Sequence, residues 1–143
     1  MWLLDTNVVS ELRKASAGRE VASSFAAWAR SRPAGLDFVS VVTIYELELG
    51  VRRIERRDAD QGRVLRAWLD GPVSHEFRGR VITLDVDVMR RAAGLHIPDP
   101  RPERDAFIAA TALHHGLGLV TRNTKDFASL GLELLNPWAG RSA

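Results

Sequence analysis

Met1-Trp2-Leu3-Leu4-Asp5-Thr6-Asn7-Val8-Val9-Ser10-Glu11-Leu12 opens the chain: an apolar run that stops abruptly in a carboxylate, a hydroxyl and an amide, followed by an amphipathic segment. The pattern predicts a buried strand from Trp2 to Leu4 and a short helix from about Val8 to Lys14. In an open parallel sheet, ligands bind just beyond the carboxyl ends of the strands. Asp5 is therefore a candidate site residue. Asp, Thr and Asn are also preferred caps of a following helix, and this stretch alone does not separate cap from ligand.

The remaining sequence alternates in the same way. Helical periodicity runs from Glu20 to Arg30, with Val21, Phe25, Trp28 and Ala29 on one face, and ends at Ser31-Arg-Pro33-Ala-Gly35. Leu36 to Val42 is β-branched and apolar, a second buried strand. Thr43-Ile-Tyr-Glu46 opens a helix with a charged tail at 52–57, and Asp58 or Asp60 restarts a helix that Gly71-Pro72 closes. Val81 to Leu84 is a third strand, and Asp85 caps a helix reaching Leu95 or His96. Pro102 suits a first helical position, and Glu103 to His115 forms a strong helix stopped by Gly116. Gly118 to Thr121 is a fourth strand, Thr124 to Leu130 a turn or short helix, and Leu132 to Leu135 an edge strand. Strands alternating with helices predict an α/β fold with a mainly parallel sheet.

With 143 residues the chain has the size of one domain, expected to span 1–143, and can bury a core without staples. It has no cysteine, which excludes a disulfide framework, a thiolate metal site and a thiol nucleophile. No apolar run reaches the length of a membrane span, and Asp5 interrupts the N-terminal run before it has the length of a signal peptide. A cytoplasmic protein is the expectation. The net charge is +2 and the basic residues are nearly all arginine, Lys14 and Lys125 being the only lysines. Arginine suits phosphate recognition through its planar fork, and equally a solvated surface.

Four polar points then gather at one edge of the expected sheet. Asp5 ends the first strand, Glu46 lies one turn into the helix after the second, Asp105 sits in the first turn of the Glu103 helix, and Asn123 follows the fourth strand with Asp126 three residues on. Each has an ordinary explanation: Thr43-x-x-Glu46 fits a capping box, Asp105 complements a helix dipole, and Asn123 suits a turn. Their convergence points elsewhere, because clustered carboxylates repel unless they hold a cation or share a proton. An oxygen-only donor set without histidine or cysteine suits Mg2+, with Mn2+ as the alternative. Such ions neutralise phosphate charge and activate water. His114 and His115 fit a helix C-terminus, and no glycine loop built to cradle phosphate is visible.

These residues, in order, are those of a known family. Leu4-Asp5-Thr6-Asn7, Ser40-Val-Val-Thr43-Ile-Tyr-Glu46-Leu, Asp105-Ala-Phe-Ile-Ala-Ala-Thr-Ala, Thr121-Arg-Asn123-Thr-Lys-Asp126-Phe and Leu135-Asn-Pro-Trp138 closely resemble the PIN-domain family, and within it the VapC toxins of bacterial toxin–antitoxin pairs, including the FitB-like group. The resemblance implies a three-layer α/β/α sandwich with a mainly parallel central sheet. It also implies a Mg2+-dependent endoribonuclease, a VapB-type antitoxin whose C-terminal segment threads the active-site groove, and a homodimer. Carried over by motif, Asp5 and Asp105 are the metal ligands and Glu46 the third acid. The family's fourth acidic position falls on Asn123, a departure that lowers the charge available to a second metal, with Asp126 as an alternative fourth acid.

The expected chemistry is hydrolysis of an RNA phosphodiester by water made acidic on Mg2+ held by Asp5, Asp105 and Glu46. Thr6 and Asn7 are expected to orient Asp5 or the scissile phosphate, and Thr121 and Arg122 to lie beside the substrate. Trp28, Tyr45 and Trp68 are either an antitoxin or dimer surface or part of the core. Two other classes compete: a phosphatase with an aspartyl nucleophile, which wants an acid where Asn7 stands, and a non-catalytic RNA-binding module in which the acids serve only as caps. Which RNA is cut is not written in any motif of the chain.

Overall fold

The computed structural model describes residues 1–33 and 35–139; the ends of the expected 1–143 domain therefore include positions 140–143, outside the described residues. In chain order the elements are β1 (Trp2–Leu4), α1 (Thr6–Ser16), α2 (Ser23–Ser31), β2 (Asp37–Ser40), α3 (Val41–Arg57) and α4 (Ala59–Trp68). A wide π turn (Leu69–Val73) leads to α5 (Ser74–Glu76), β3 (Val81–Ile82), α6 (Val86–Gly94), α7 (Glu103–His115), β4 (Gly118–Val120), α8 (Thr124–Phe127) and β5 (Leu134–Leu135). The five strands form one sheet in the order β3-β2-β1-β4-β5, every pair parallel.

The opening stretch holds the centre of that sheet. Successive strand residues face opposite sides, and both sides of β1 are covered. Leu4 packs with Val8, Phe25, Val39, Phe77 and Val120 on one face, while Leu3 packs with Ile108, Leu119 and Phe127 on the other. Helices on both faces of a parallel sheet make the expected α/β/α sandwich. Because all strands run the same way, β1, β2 and β4 deliver Asp5, Ser40 and Thr121 to a single edge.

Local chemistry moves several boundaries. Asp5 caps α1, so the helix starts at Thr6 rather than Val8. The Ser40 hydroxyl accepts from Val42 N at 3.0 Å, which stops β2 before Val42 and starts α3 ahead of Thr43. Thr43-x-x-Glu46 is thus not a capping box: Thr43 lies inside the first turn and is fully buried. Gly71-Pro72 does not close α4. The backbone widens into the π turn around Pro72, where the Ser74 hydroxyl donates to Leu69 O at 3.0 Å; such a bulge tolerates the amide that proline lacks. Pro102 is the cap of α7 rather than its first residue, and Gly116 ends that helix in the left-handed conformation, φ 66°.

Two glycines test how tightly the helices seat. A Cβ on Gly62 in α4 would stand 2.6 Å from the Glu55 Cα of α3, whereas one on Gly50 meets nothing within 4 Å. Gly62→Ala is expected to cost about 1–3 kcal/mol by forcing the helices apart, and Gly50→Ala to add roughly 0.5–1 kcal/mol. Urea denaturation midpoints of the two variants check this; shifts of the same sign would refute the packing assignment.

Candidate functional site

Asp5 caps α1 and also stands in a cluster of acids. Its Oδ1 accepts from Thr6 N at 2.8 Å and its Oδ2 from the Thr121 hydroxyl at 2.7 Å. The residue is only 7% exposed. Burial pushes its carboxyl above the usual range; the bonds from Thr121 and Thr6 pull it back, and the charges of Glu46 and Asp126 push it up again. Thr121 is fully buried and its hydroxyl is committed to Asp5. Thr121, expected beside the substrate, holds an oxygen of the Asp5 carboxylate.

Thr6 performs the same service for Glu46. Its hydroxyl lies 2.8 Å from Glu46 Oε1 and 3.0 Å from Thr43 Oγ1. One hydroxyl carries one proton. With Thr6 donating to the carboxylate, Thr43 donates to Thr6, and a half-buried relay fixes Glu46 from the end of β1. The sequence offered Thr43 only as a cap, because nothing local shows that it reaches Thr6 across the sheet edge.

Asp105 arrives from the first turn of α7. Burial, followed by the charges of Asp5, Asp126 and Glu46, holds its carboxyl above the usual range against a smaller pull from Arg101. Asp5, Glu46, Asp105 and Asp126 are therefore one electrostatic cluster. Asn123 heads α8, exposed, with no side-chain capping bond, while Asp126, inside α8, supplies the fourth charge. Asn7 accepts from Arg122 N at 3.4 Å, which ties the start of α1 to the exit of β4. The Arg122 guanidinium sits 5.2 Å from the Trp138 ring centroid.

A second buried carboxylate gives the contrast that matters. Asp37, 4% exposed at the other end of β2, is paired with Arg32, whose Nε donates to it at 2.6 Å. Among the described residues no salt bridge reaches Asp5 or Asp105, and the nearest cation to the cluster is Arg104, whose Nη1 is 3.6 Å from Glu46 Oε2. A buried carboxylate without a partner and with like charges beside it, as Asp5 is, is what a bound cation relieves. The donor set is all oxygen and fits a hard divalent ion. The acids are more widely spaced than ligands closed on an ion: among the described residues, the group whose ligating atoms lie within 4.8 Å of one another is instead Asp85, Asp87 and His114, all exposed. Asp85 there is engaged in capping α6 through Val88 N at 2.9 Å.

Of the aromatic residues expected either on a surface or in the core, Trp28 and Trp68 pack against the core, and Tyr45 is 57% exposed. No helix among the described residues is long and apolar enough to cross a membrane.

Comparison with known proteins gives the family and the fold. The PIN domain family model matches residues 2–132. The VapC ribonuclease Y4jK of Sinorhizobium fredii is 36% identical over 146 residues, covering 96% of this chain and 98% of its own. Toxin FitB of Neisseria gonorrhoeae is 32% identical over 144 residues, covering 96% and 99%. Among solved structures, FitAcB from Neisseria gonorrhoeae superposes with a TM-score of 0.83 at 29% identity, covering 96% of this chain and 99% of that one. FitAB bound to the IR36 DNA fragment gives 0.85 at 26%, covering 99% of each.

Proposed function

Because the chain belongs to the PIN-domain family, we propose that it is a Mg2+-dependent endoribonuclease, the toxin of a VapBC-type toxin–antitoxin pair. The observation that carries the reading is Asp5: a buried carboxylate without a cationic partner, beside three more carboxylates. Asp5, Asp105 and Glu46 are assigned to the ion, with Mn2+ as the alternative occupant. When bound, the ion supplies charge neutralisation on the phosphodiester and a more acidic water.

The chain's own residues do the rest. Thr121 and the Thr6 amide hold both oxygens of Asp5 in one orientation, and the Thr43–Thr6 relay holds Glu46. Reacting groups positioned before substrate arrives cost little reorganisation. Arg122, propped on Trp138, is assigned to the RNA backbone. Asp126 is assigned as the fourth acid and Asn123 as a neutral neighbour of the site. An aspartyl-phosphatase chemistry gains nothing here, since Asn7 stands where its second acid belongs and is bonded to the β4 exit. The relatives' complexes support a VapB-type antitoxin as partner; we further propose that it closes the site and that the assembly is a cytoplasmic homodimer of one PIN-like domain per chain.

Purified protein is expected to cleave single-stranded RNA with Mg2+, to stop in EDTA, and to recover with excess Mg2+. Induced alone in a bacterial host it is expected to arrest growth, and its cognate antitoxin to relieve the arrest. Equal cleavage with and without chelator would overturn the metal-dependent reading.

A further inference from the structure

Between α3 and α7 lies a groove of about 810 Å³. Glu46 and Asp105 are among the residues that line it, together with Glu103, the apolar Leu84 and Phe107, and Tyr45 and Arg104. Tyr45 is 57% exposed, and its ring does not belong to any of the buried clusters. The Arg104 guanidinium lies 5.3 Å from the Tyr45 ring centroid, while its Nη1 reaches toward Glu46 Oε2 at 3.6 Å, too far for a hydrogen bond. The Arg104 side chain is itself 48% exposed. Their contacts are with each other and, for Arg104, with Glu46, and neither side chain is part of the buried core.

We propose that Tyr45 and Arg104 form the substrate subsite next to the acid cluster, Tyr45 stacking on the base that flanks the scissile bond and Arg104 gripping the adjoining phosphate. This rests on the ribonuclease reading of the acids. Two independent features favour a nucleotide over a peptide. Glu46 and Asp105 themselves line the groove, so a strand whose phosphate lies on these acids has the groove directly beside it. Its lining also pairs an exposed aromatic face with a guanidinium, the combination that binds single-stranded nucleic acid without reading its sequence. A phosphate entering the groove offers the fork of Arg104 two oxygens in place of one distant carboxylate oxygen.

The test compares wild type, Tyr45→Ala, Tyr45→Phe and Arg104→Ala on an end-labelled, mixed-sequence pool of single-stranded RNA in Mg2+, over a range of salt. Both side chains are exposed, and circular dichroism melts confirm that the variants fold. Tyr45→Ala is expected to raise KM about tenfold, the loss of one stacked base, and Tyr45→Phe to restore it. Arg104→Ala is expected to raise KM and to flatten the dependence of log KM on log salt by about one, the loss of one phosphate contact. An active wild type with unchanged KM in Tyr45→Ala, or a Tyr45→Phe as weak as Tyr45→Ala, overturns the stacking subsite. Unchanged KM in both alanine variants with a weakened hold on a co-purified antitoxin assigns the groove to protein and overturns it as well. A wild type inert toward RNA sinks the ribonuclease reading first, and the subsite with it.

Discussion

Asp5→Asn is expected to lower kcat/KM for RNA about 1,000-fold, about 4 kcal/mol of transition-state stabilisation, and at the same time to raise the melting temperature of the metal-free protein at neutral pH. The two effects share one cause. Asparagine keeps the local structure: its carbonyl accepts from Thr6 N as Asp5 Oδ1 does, and its amide donates to a Thr121 hydroxyl that rotates to receive it. What disappears is a charge. Asp5 and Asp105 both have folded-state pKa values raised above the ordinary carboxylate range. The folded state then holds their protons more tightly than the unfolded chain. The stability this contributes is fully present below the unfolded pKa, about 3.9, and is lost as pH rises through the raised folded value. At neutral pH the metal-free fold carries the cost of burying these charges and, after it, their mutual repulsion.

Removing one of the charges relieves its burial cost and the repulsion beside it, so Asp5→Asn and Asp105→Asn should each melt a few degrees higher than wild type in EDTA at neutral pH. The gain should vanish in acid, where wild type is already neutral at these positions. Adding Mg2+ should raise the wild-type midpoint and leave the variants nearly unmoved, by linkage of binding to folding. Scanning calorimetry with and without Mg2+, at neutral and acid pH, reads every part of this. Variants that melt lower than wild type in EDTA at neutral pH would show that the acids serve the fold as caps and are not held together at its expense. Such a trade of stability for a charged site is common at functional centres.

How much of this was visible in the chain depends on whether the cause is local. β1 and the edge it ends on were legible, because an apolar run broken by Asp-Thr-Asn is a one-dimensional pattern, and so were the α/β order and the convergence of Asp5, Glu46 and Asp105. The parallel sheet then supplies the third dimension without further information. Contacts made across that edge were not legible. Thr43 looked like a cap, since a capping box is a short-range signal, while its bond to Thr6 spans 37 positions. Thr121 looked like a substrate neighbour, since nothing in Thr-Arg-Asn says that its hydroxyl turns inward to Asp5. Asn123 looked like the fourth corner because spacing from Asp105 put it there. The turn into α8 decides which side chain meets the acids, and it brings the charge of Asp126 to them. The π turn at Pro72 belongs with these: proline reads as a stop unless a widened backbone absorbs its missing amide.

Phe25→Ala is expected to be the most damaging single truncation outside the acid cluster, costing about 3–5 kcal/mol. Phe25 is fully buried in α2 and joins segments far apart in sequence. Its ring centroid lies 5.4 Å from that of Trp28 and 4.7 Å from that of Trp138, and it packs with Leu4, Val8 and Val120 in the same cluster. Trp138 is held to the domain by that ring, by its indole N–H donating to Glu11 Oε2 at 2.9 Å, and by the Ser24 hydroxyl donating to its carbonyl at 2.8 Å. The Asn136-Pro-Trp138 motif is thus an anchor: it closes the C-terminal segment over α2, and its outer face carries Arg122. Alanine at 25 leaves a ring-sized hole among groups fixed by these bonds, so collapse is limited and the cavity term is large. At about 3 °C per kcal/mol for a chain of this size, the melting temperature should fall by roughly 10 °C or more. Phe25→Leu fills most of the volume and should recover over half of the loss. Trp138→Ala separates stability from function. It removes the support of Arg122 as well as the packing, so below its own melting temperature it should raise KM for RNA while Phe25→Leu leaves KM near wild type. Equal KM in the two would mean that Trp138 anchors the fold without holding Arg122 to the substrate.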